Sequence, residues 1–176
     1  MTELTIRDAV PDDIPALHAL IESAYRGEAS RAGWTTEADL LDGQRTDPDD
    51  LADILADPAQ RMLTAWRTGI LVGCVLIADR GQGTGYFGML SVSPTLQAAG
   101  LGRRLVAAAE AEMAARFGAR RVRISVFPQR AELIAWYERL GYAATGETLA
   151  FPYGNPRFGL PRRDDLHFIV MERDLA

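Results

Sequence analysis

The sequence predicts a mixed α/β fold: one sheet of six or seven strands with helices on both of its faces. Three observations carry that expectation. Short apolar or alternating runs, the pattern of strands, recur between stretches with apolar residues three to four apart, the pattern of helices. Hairpin signals early and late in the chain imply antiparallel pairing at either side of the sheet. Helices interposed between successive strands imply parallel pairing in its middle. A length of 176 residues fits one domain spanning residues 1–176, and 48% apolar residues suffice for an ordinary core.

Taken in order, Leu4 and Ile6 alternate with polar neighbours and predict a first strand. Asp12 or Asp13 caps the next helix, Pro15 lies in its first turn, and Leu17, Leu20, Ile21 and Ala24 form its apolar stripe. Tyr25 to Thr36 has no periodicity and reads as a loop. Thr36 with Asp39 resembles an acidic capping box and predicts a helix to about Asp42. Asp47-Pro48 opens a short helix ending near Ala56. Met62–Arg67, the Thr68-Gly69 turn and Ile70–Ala78 predict a hairpin. Arg80 to Gly85 is a flexible connection, and Tyr86–Val92 a further strand. A long helix from Gly100 to Phe117 follows, with Leu101, Leu105, Ala109, Met113 and Phe117 four residues apart and Gly118 as its stop. Val122–Phe127 predicts a strand, Ala131–Leu140 a helix closed by Gly141, and Tyr142–Ala150 and Leu166–Met171 the last two strands.

Composition removes several classes of function. The longest apolar run, Gly69–Ala78, is too short to span a membrane, and the charged, alternating start has no secretory core, so a cytoplasmic protein is expected. The lone Cys74 sits among apolar residues and reads as an inert buried thiol. His18 and His167 are far apart and no metal ligand set is present. A net charge of −5 without interleaved basic and aromatic residues argues against nucleic acid. The charge is unevenly spread: residues 1–60 carry 14 Asp and Glu against 4 Arg, and residues 61–176 carry 10 against 15. An acidic front would attract cations and a basic back anions.

The chemistry concentrates between the Tyr86–Val92 strand and the long helix. Gly100 and Gly102 let the backbone approach a ligand without a Cβ in the way. The helix start offers unpaired N–H groups and a partial positive charge. Arg103 and Arg104 in the first turn oppose the helix dipole, which suits a bound anion. Val92-Ser93-Pro94 followed by Gln97-Ala98-Ala99-Gly100-Leu101-Gly102 resembles the central signature of the GNAT superfamily of acyl-CoA-dependent acyltransferases. Tyr137-Glu138-Arg139-Leu140-Gly141-Tyr142 resembles its second signature, and the likeness covers Thr5 to Met171.

That resemblance implies an N-acetyltransferase that uses acetyl-CoA to acetylate a primary amine, acting as a monomer or homodimer. It implies that the pantetheine arm lies along the backbone of Leu90, Ser91 and Val92. The pyrophosphate would rest on Gln97, Ala98, Ala99, Gly100, Leu101, Gly102, Arg103 and Arg104, and an N–H near Met89 or Leu90 would hold the thioester oxygen. Tyr137 matches the family's general acid for the departing thiolate; a phenol stays protonated at neutral pH and can supply that proton. Two positions depart from the pattern. Arg130 stands where many relatives carry an asparagine that contacts CoA, and Ser125 where some carry a glutamate base, leaving a bound water or a carboxylate from the N-terminal loop.

Acceptors in the family enter between the N-terminal helices and the C-terminal strands. Tyr25, Glu28, Trp34, Glu37, Phe87 and Tyr153 are the candidates there, since carboxylates and aromatic faces suit an ammonium. The acidic front half fits a cationic acceptor. A small amine is the favoured acceptor; a peptide or protein, or a role as an acyl-CoA-binding protein without turnover, are the alternatives.

Overall fold

The computed structural model describes residues 3–33 and 36–176, with the side chains of residues 97–99 and 158 excepted. Seven strands form the main sheet. They are β1 (Leu4–Asp8), β3 (Gln60–Arg67), β4 (Ile70–Asp79), β5 (Thr84–Val92), β6 (Arg121–Val126), β7 (Ala143–Ala150) and β9 (His167–Asp174). Their spatial order is β1-β3-β4-β5-β6-β9-β7. The expected parallel centre is a single pair, β5 with β6. The helix after β6 does lead to a strand running the same way as β6, but β9 inserts between them, antiparallel to both.

Helices cover both faces, as expected. On one side α1 (Ile14–Tyr25) buries Leu17, Leu20, Ile21 and Ala24, and α3 (Pro48–Ala56) buries Leu51 and Ile54. These pack with Met62, Cys74, Leu76 and Met89 of the sheet. On the other side α4 (Leu101–Phe117) and α5 (Ala131–Arg139) cover a larger core. There Leu101, Leu105, Ala109, Met113, Leu133 and Tyr137 meet the inward faces of β3 to β6. Cys74 is fully buried beneath α1, where loss of hydration pushes its thiol pKa up to about 12. It is an inert packing residue.

Two local expectations need correction. The predicted loop after Tyr25 contains one helical turn, α2 (Gly27–Ser30). The predicted helix from Thr36 to Asp42 does not form. Thr36 spends its hydroxyl on Ser30 Oγ (2.6 Å) and on the Ala38 N–H (3.2 Å), and the chain turns instead into β2 (Leu41–Asp42). β2 pairs antiparallel with β8 (Leu160–Pro161) in a separate two-stranded ribbon. A strand partner more than 110 residues away outweighed the local capping signal. Asp47, by contrast, caps α3 as its sequence predicts, accepting from the Asp50 N–H at 2.7 Å.

Close packing of α4 against the sheet depends on small residues in the strands. A Cβ at Gly73 of β4 would stand 2.7 Å from Leu105 Cδ1 and 3.1 Å from the Ser91 carbonyl oxygen. Gly73→Ala is therefore expected to lower stability by about 1–3 kcal/mol, the usual cost of overpacking. Urea unfolding followed by circular dichroism measures this.

Candidate active site

The central pair comes apart. β5 and β6 are in register only at Thr84↔Arg121, Gly85↔Val122 and Tyr86↔Arg123. β5 nevertheless continues to Val92 and β6 to Val126. The divergence has a local cause in β5. Leu76↔Gly88 and Cys74↔Ser91 are successive partners across β4 and β5, so β5 carries one extra residue there. Met89 sits in the bulge at φ +50°. A bulge bends its strand and sharpens its twist.

Beside the bulge lies a cavity of about 280 Å³. Tyr25, Glu37 and Arg45 line one side of it, Tyr86 to Leu90 and Ile124 to Val126 its floor, and Arg130, Leu133 and Tyr137 the helical side. Sequence reasoning thus brought Tyr25, Glu37, Phe87, Leu90 and Tyr137 to one place.

Tyr137 projects from α5 with its ring against Phe87 (centroids 6.0 Å), Trp136 (5.0 Å) and Tyr142 (5.8 Å). Tyr142 donates to Glu110 Oε1 at 2.7 Å, whereas the Tyr137 hydroxyl has no hydrogen-bond partner among the described residues. Burial, and to a smaller degree the neighbouring Tyr25, raise the Tyr137 pKa well above its ordinary value, with Arg130 acting in the opposite sense. Tyr137 is a neutral phenol at every physiological pH.

Tyr25, at the C-terminal end of α1, donates its hydroxyl to the Leu90 carbonyl at 2.5 Å. That carbonyl of the proposed pantetheine track is therefore already engaged. Ser91 is buried, paired with Cys74, and donates its hydroxyl to the Met89 carbonyl at 3.0 Å. Val92 pairs with Gly73. Phe87 faces α5 as a core residue, 2% exposed, and touches the cavity with one edge only. The alternation of the strand puts Tyr86 on the α1 side instead, a parity that the sequence did not reveal.

Glu37 is the most constrained group. Its Oε1 meets Arg26 Nη1 at 2.6 Å and its Oε2 meets Arg130 Nη1 at 3.3 Å, all three side chains being buried. Burial alone would raise its pKa, but Arg130, Arg26 and Arg45 together hold it below its ordinary value. Glu37 is an ion whose oxygens are already in use, so it is ill suited to take a proton or grip an ammonium. Arg130, at the position of the usual asparagine, is turned to Glu37. Arg45 was missed: Glu22 Oε1 accepts from its N–H at 2.7 Å, and its guanidinium lies 5.4 Å from the centre of the Tyr25 ring. Its place just ahead of the Asp47-Pro48 helix start was the available signal.

The remaining candidates lie elsewhere. Glu28 is exposed on α2 and pairs with Arg31 at 3.0 Å. Tyr153 anchors its own loop, donating to the Arg163 carbonyl (2.9 Å) and accepting from the Leu166 N–H (2.7 Å). Trp34 lies outside the described residues.

The start of α4 keeps the geometry that its glycines predict. Gly100 is left-handed (φ +76°), and the first helical bond runs from the Arg104 N–H to the Gly100 carbonyl at 3.3 Å. The N–H groups of the preceding positions in the turn are those a helix leaves unspent. Gly102 is buried, Arg103 and Arg104 are exposed, and neither arginine has an ion pair among the described residues. This arrangement suits a phosphate-bearing ligand. Gln97, Ala98 and Ala99 belong to a 3-10 turn (Pro94–Ala99) leading into it. Among the described residues no group of His, Cys, Asp and Glu could hold a metal ion, and no helix is long and apolar enough to cross a membrane.

The β2–β8 ribbon ties the segment after α2 to the segment after β7. Arg162 donates to the Leu40 and Ala38 carbonyls (2.9 and 3.0 Å), and Gln44 to the Arg157 carbonyl (2.8 Å). Arg157 grips Asp47 with both arms, at 2.9 and 3.2 Å. Leu40, Leu41, Phe127, Phe151 and Leu166 form a small apolar cluster that includes Leu41 of the ribbon.

A parted parallel pair, a glycine-rich helix start and a buried phenol between them define an acyl-CoA-dependent acyltransferase. Comparison with known proteins gives the family. The profile described as the Acetyltransferase (GNAT) family matches residues 17–142. An IAA acetyltransferase of Azospirillum brasilense is 33% identical over 154 residues, which cover 86% of this chain and 87% of that one. Among solved structures, the ribosomal-protein-S18-alanine N-acetyltransferase of Escherichia coli superposes with TM-score 0.71 at 17% identity, covering 99% of this chain and 95% of the other. The yncA protein of Salmonella typhimurium, solved with its cofactor acetyl-CoA, gives 0.70 at 23% identity, covering 98% and 94%. The chain belongs to the GNAT acetyltransferase family, and acetyl-CoA is its acetyl donor.

Two outcomes are expected from this geometry. Gly100→Val forces a left-handed residue to carry a branched side chain, so it should abolish the rise in melting temperature given by acetyl-CoA while the protein still folds. Thermal scans with and without acetyl-CoA test this. Asp47, held at about 2 chiefly by Arg157, has a depressed pKa, so its stabilising contribution is present above the unfolded value near 4 and is lost as pH falls toward about 2. Asp47→Asn should therefore flatten the fall in melting temperature across that window.

Proposed function

We propose that the chain transfers the acetyl group of acetyl-CoA directly to the primary amine of a small molecule held in the cavity beside Tyr137. The observation that carries this reading is the cavity itself. It opens where β5 and β6 part, is lined by Tyr137, and at about 280 Å³ has room for a compact acceptor. A cavity of that size favours a compact acceptor over a protein segment.

In this reading the start of α4, with Gly100, Gly102, Arg103 and Arg104, holds the donor's phosphates. The unpaired stretch of β5 runs beside its arm. The bulged backbone at Met89 and Leu90 faces the negative charge that builds on the thioester oxygen. The acceptor nitrogen bonds to the acetyl carbon as the carbon–sulfur bond breaks. The thiolate takes the proton of Tyr137, and the nitrogen gives up its own to water. Tyr137 stays protonated until the thiolate forms; the same dry site raises the basicity of that thiolate, and the nearby Arg130 guanidinium stabilises the phenolate that results. Ser125, which lines the cavity where some relatives carry a base, cannot replace one.

Tyr137→Phe tests the reading. Phenylalanine keeps the packing against Phe87, Trp136 and Tyr142, so the melting temperature should change little. Removing a positioned general acid costs about 10²–10⁴-fold in rate. Single-turnover acetyl transfer should fall by that factor with acetyl-CoA affinity nearly intact. Wild-type turnover under chemistry-limited conditions would overturn the assignment.

A further inference from the structure

The charges around the cavity do not match a cationic acceptor. Two guanidiniums line it, those of Arg45 and Arg130, against one carboxylate, Glu37, which a third, Arg26, pairs with from behind. Glu37 has one arginine on each oxygen. Arg45 is left over: among the described residues no carboxylate stands within ion-pairing distance of it, and its charge is felt at Tyr25, Glu37 and Cys74 across the cavity. The acidic residues of the front half are spent elsewhere, Asp13 on Arg7, Asp39 on Arg31 and Asp47 on Arg157.

The approach to the cavity repeats the pattern. A groove of about 470 Å³ shares Tyr86, Ile124, Ser125 and Leu149 with it and is lined by Arg80, Arg121 and Arg123 against Glu172. Arg121 and Arg123 have carboxylate partners. Arg80 has none among the described residues and lies 4.7 Å from the centre of the Tyr86 ring. In both places an aromatic ring fixes the guanidinium while its N–H groups stay free for a ligand.

We propose that the acceptor carries an oxyanion, a carboxylate or a phosphate, alongside its amine, and that Arg45 on the Tyr25 ring is the residue that receives it. This rests on the acetyl-transfer reading above and deepens it. A guanidinium forks onto carboxylate or phosphate through two parallel hydrogen bonds, which fixes orientation as well as charge. The same field disfavours an ammonium relative to its stability in water. An acceptor anchored by its anion is thereby eased toward the neutral, nucleophilic form, which lessens the need for a strong protein base. Arg45 is a binding and positioning residue, not one that touches the reacting atoms.

Matched acceptors test this with the wild-type protein: L-leucine against L-leucinamide, L-phenylalanine against L-phenylalaninamide, and O-phosphoethanolamine against ethanolamine. Thiol release from acetyl-CoA is the readout. The anionic member should exceed its neutral partner in kcat/KM by roughly 30-fold or more, the scale set by a charge-paired contact. The pair that responds tells carboxylate from phosphate. Arg45→Gln should collapse that preference, chiefly through KM, and Arg45→Lys should restore part of it. Neutral acceptors used as well as anionic ones would overturn the proposal. So would an Arg45→Gln protein that keeps the preference, or one whose only defect is weaker acetyl-CoA binding. If no amine releases thiol, the transfer reading fails instead. Calorimetry with N-acetyl-L-leucine against N-acetyl-L-leucinamide then decides the inference without turnover, equal affinities sinking it and tighter binding of the acid upholding it.

Discussion

One extra residue in β5 sets the terms for everything around it. Up to Tyr86 the strand keeps its parallel partner, and beyond the bulge at Met89 it cannot. Two strands that diverge inside a sheet expose main-chain polar groups, which must find other partners. Part of that need is met from the α1 side, where the Tyr25 hydroxyl caps the Leu90 carbonyl. The rest is the opening in which the cavity lies. The bulge is affordable because both faces of the sheet beside it are packed: Met89 itself joins the α1 core, and Leu90 and Val92 join the α4 core.

Around that opening the buried Arg26–Glu37–Arg130 cluster takes second place in importance. It joins three separate pieces of chain: the end of α1, the turn before β2 and the start of α5. The excursion from Tyr25 to Glu37 is closed at its neck by the Glu37 N–H bonded to the Tyr25 carbonyl at 2.9 Å. A buried ion cluster is weak evidence for net stability, since desolvation offsets most of the attraction. Its effect here is positional. It fixes where Tyr25 and Arg45 face Tyr137, and it takes Glu37 out of contention as a base.

The sequence was most legible where structure is local. The stripes of α1 and α4, the Asp47 cap, the β3–β4 hairpin and the glycine-rich helix start follow from residues within a few positions of each other. It was least legible where a partner is distant. Thr36 and Asp39 look like a helix start, and only Leu160 and Pro161 make Leu41 and Asp42 a strand. The parity of β5 was equally hidden, because Tyr86 and Phe87 are both aromatic and only the packing of Gly85 against Met113 shows which of them faces α4. For the candidate site, the two motifs located the cavity and Tyr137. They did not locate Arg45, which Glu22 and Tyr25 of α1 hold at the cavity from far along the chain.

The uneven charge of the chain shows why composition can mislead about a site. The acidic front is real, but acidity counted along a sequence says nothing about which side chains converge. Most of its carboxylates cap helices, brace loops or pair at the surface, where water screens them. The few groups that do reach the cavity are mostly arginines, and there the low-polarity walls strengthen their field. A chain of net charge −5 thus lines this cavity with more guanidiniums than carboxylates. The local field, and not the net charge, decides which protonation state of a buried group is favoured.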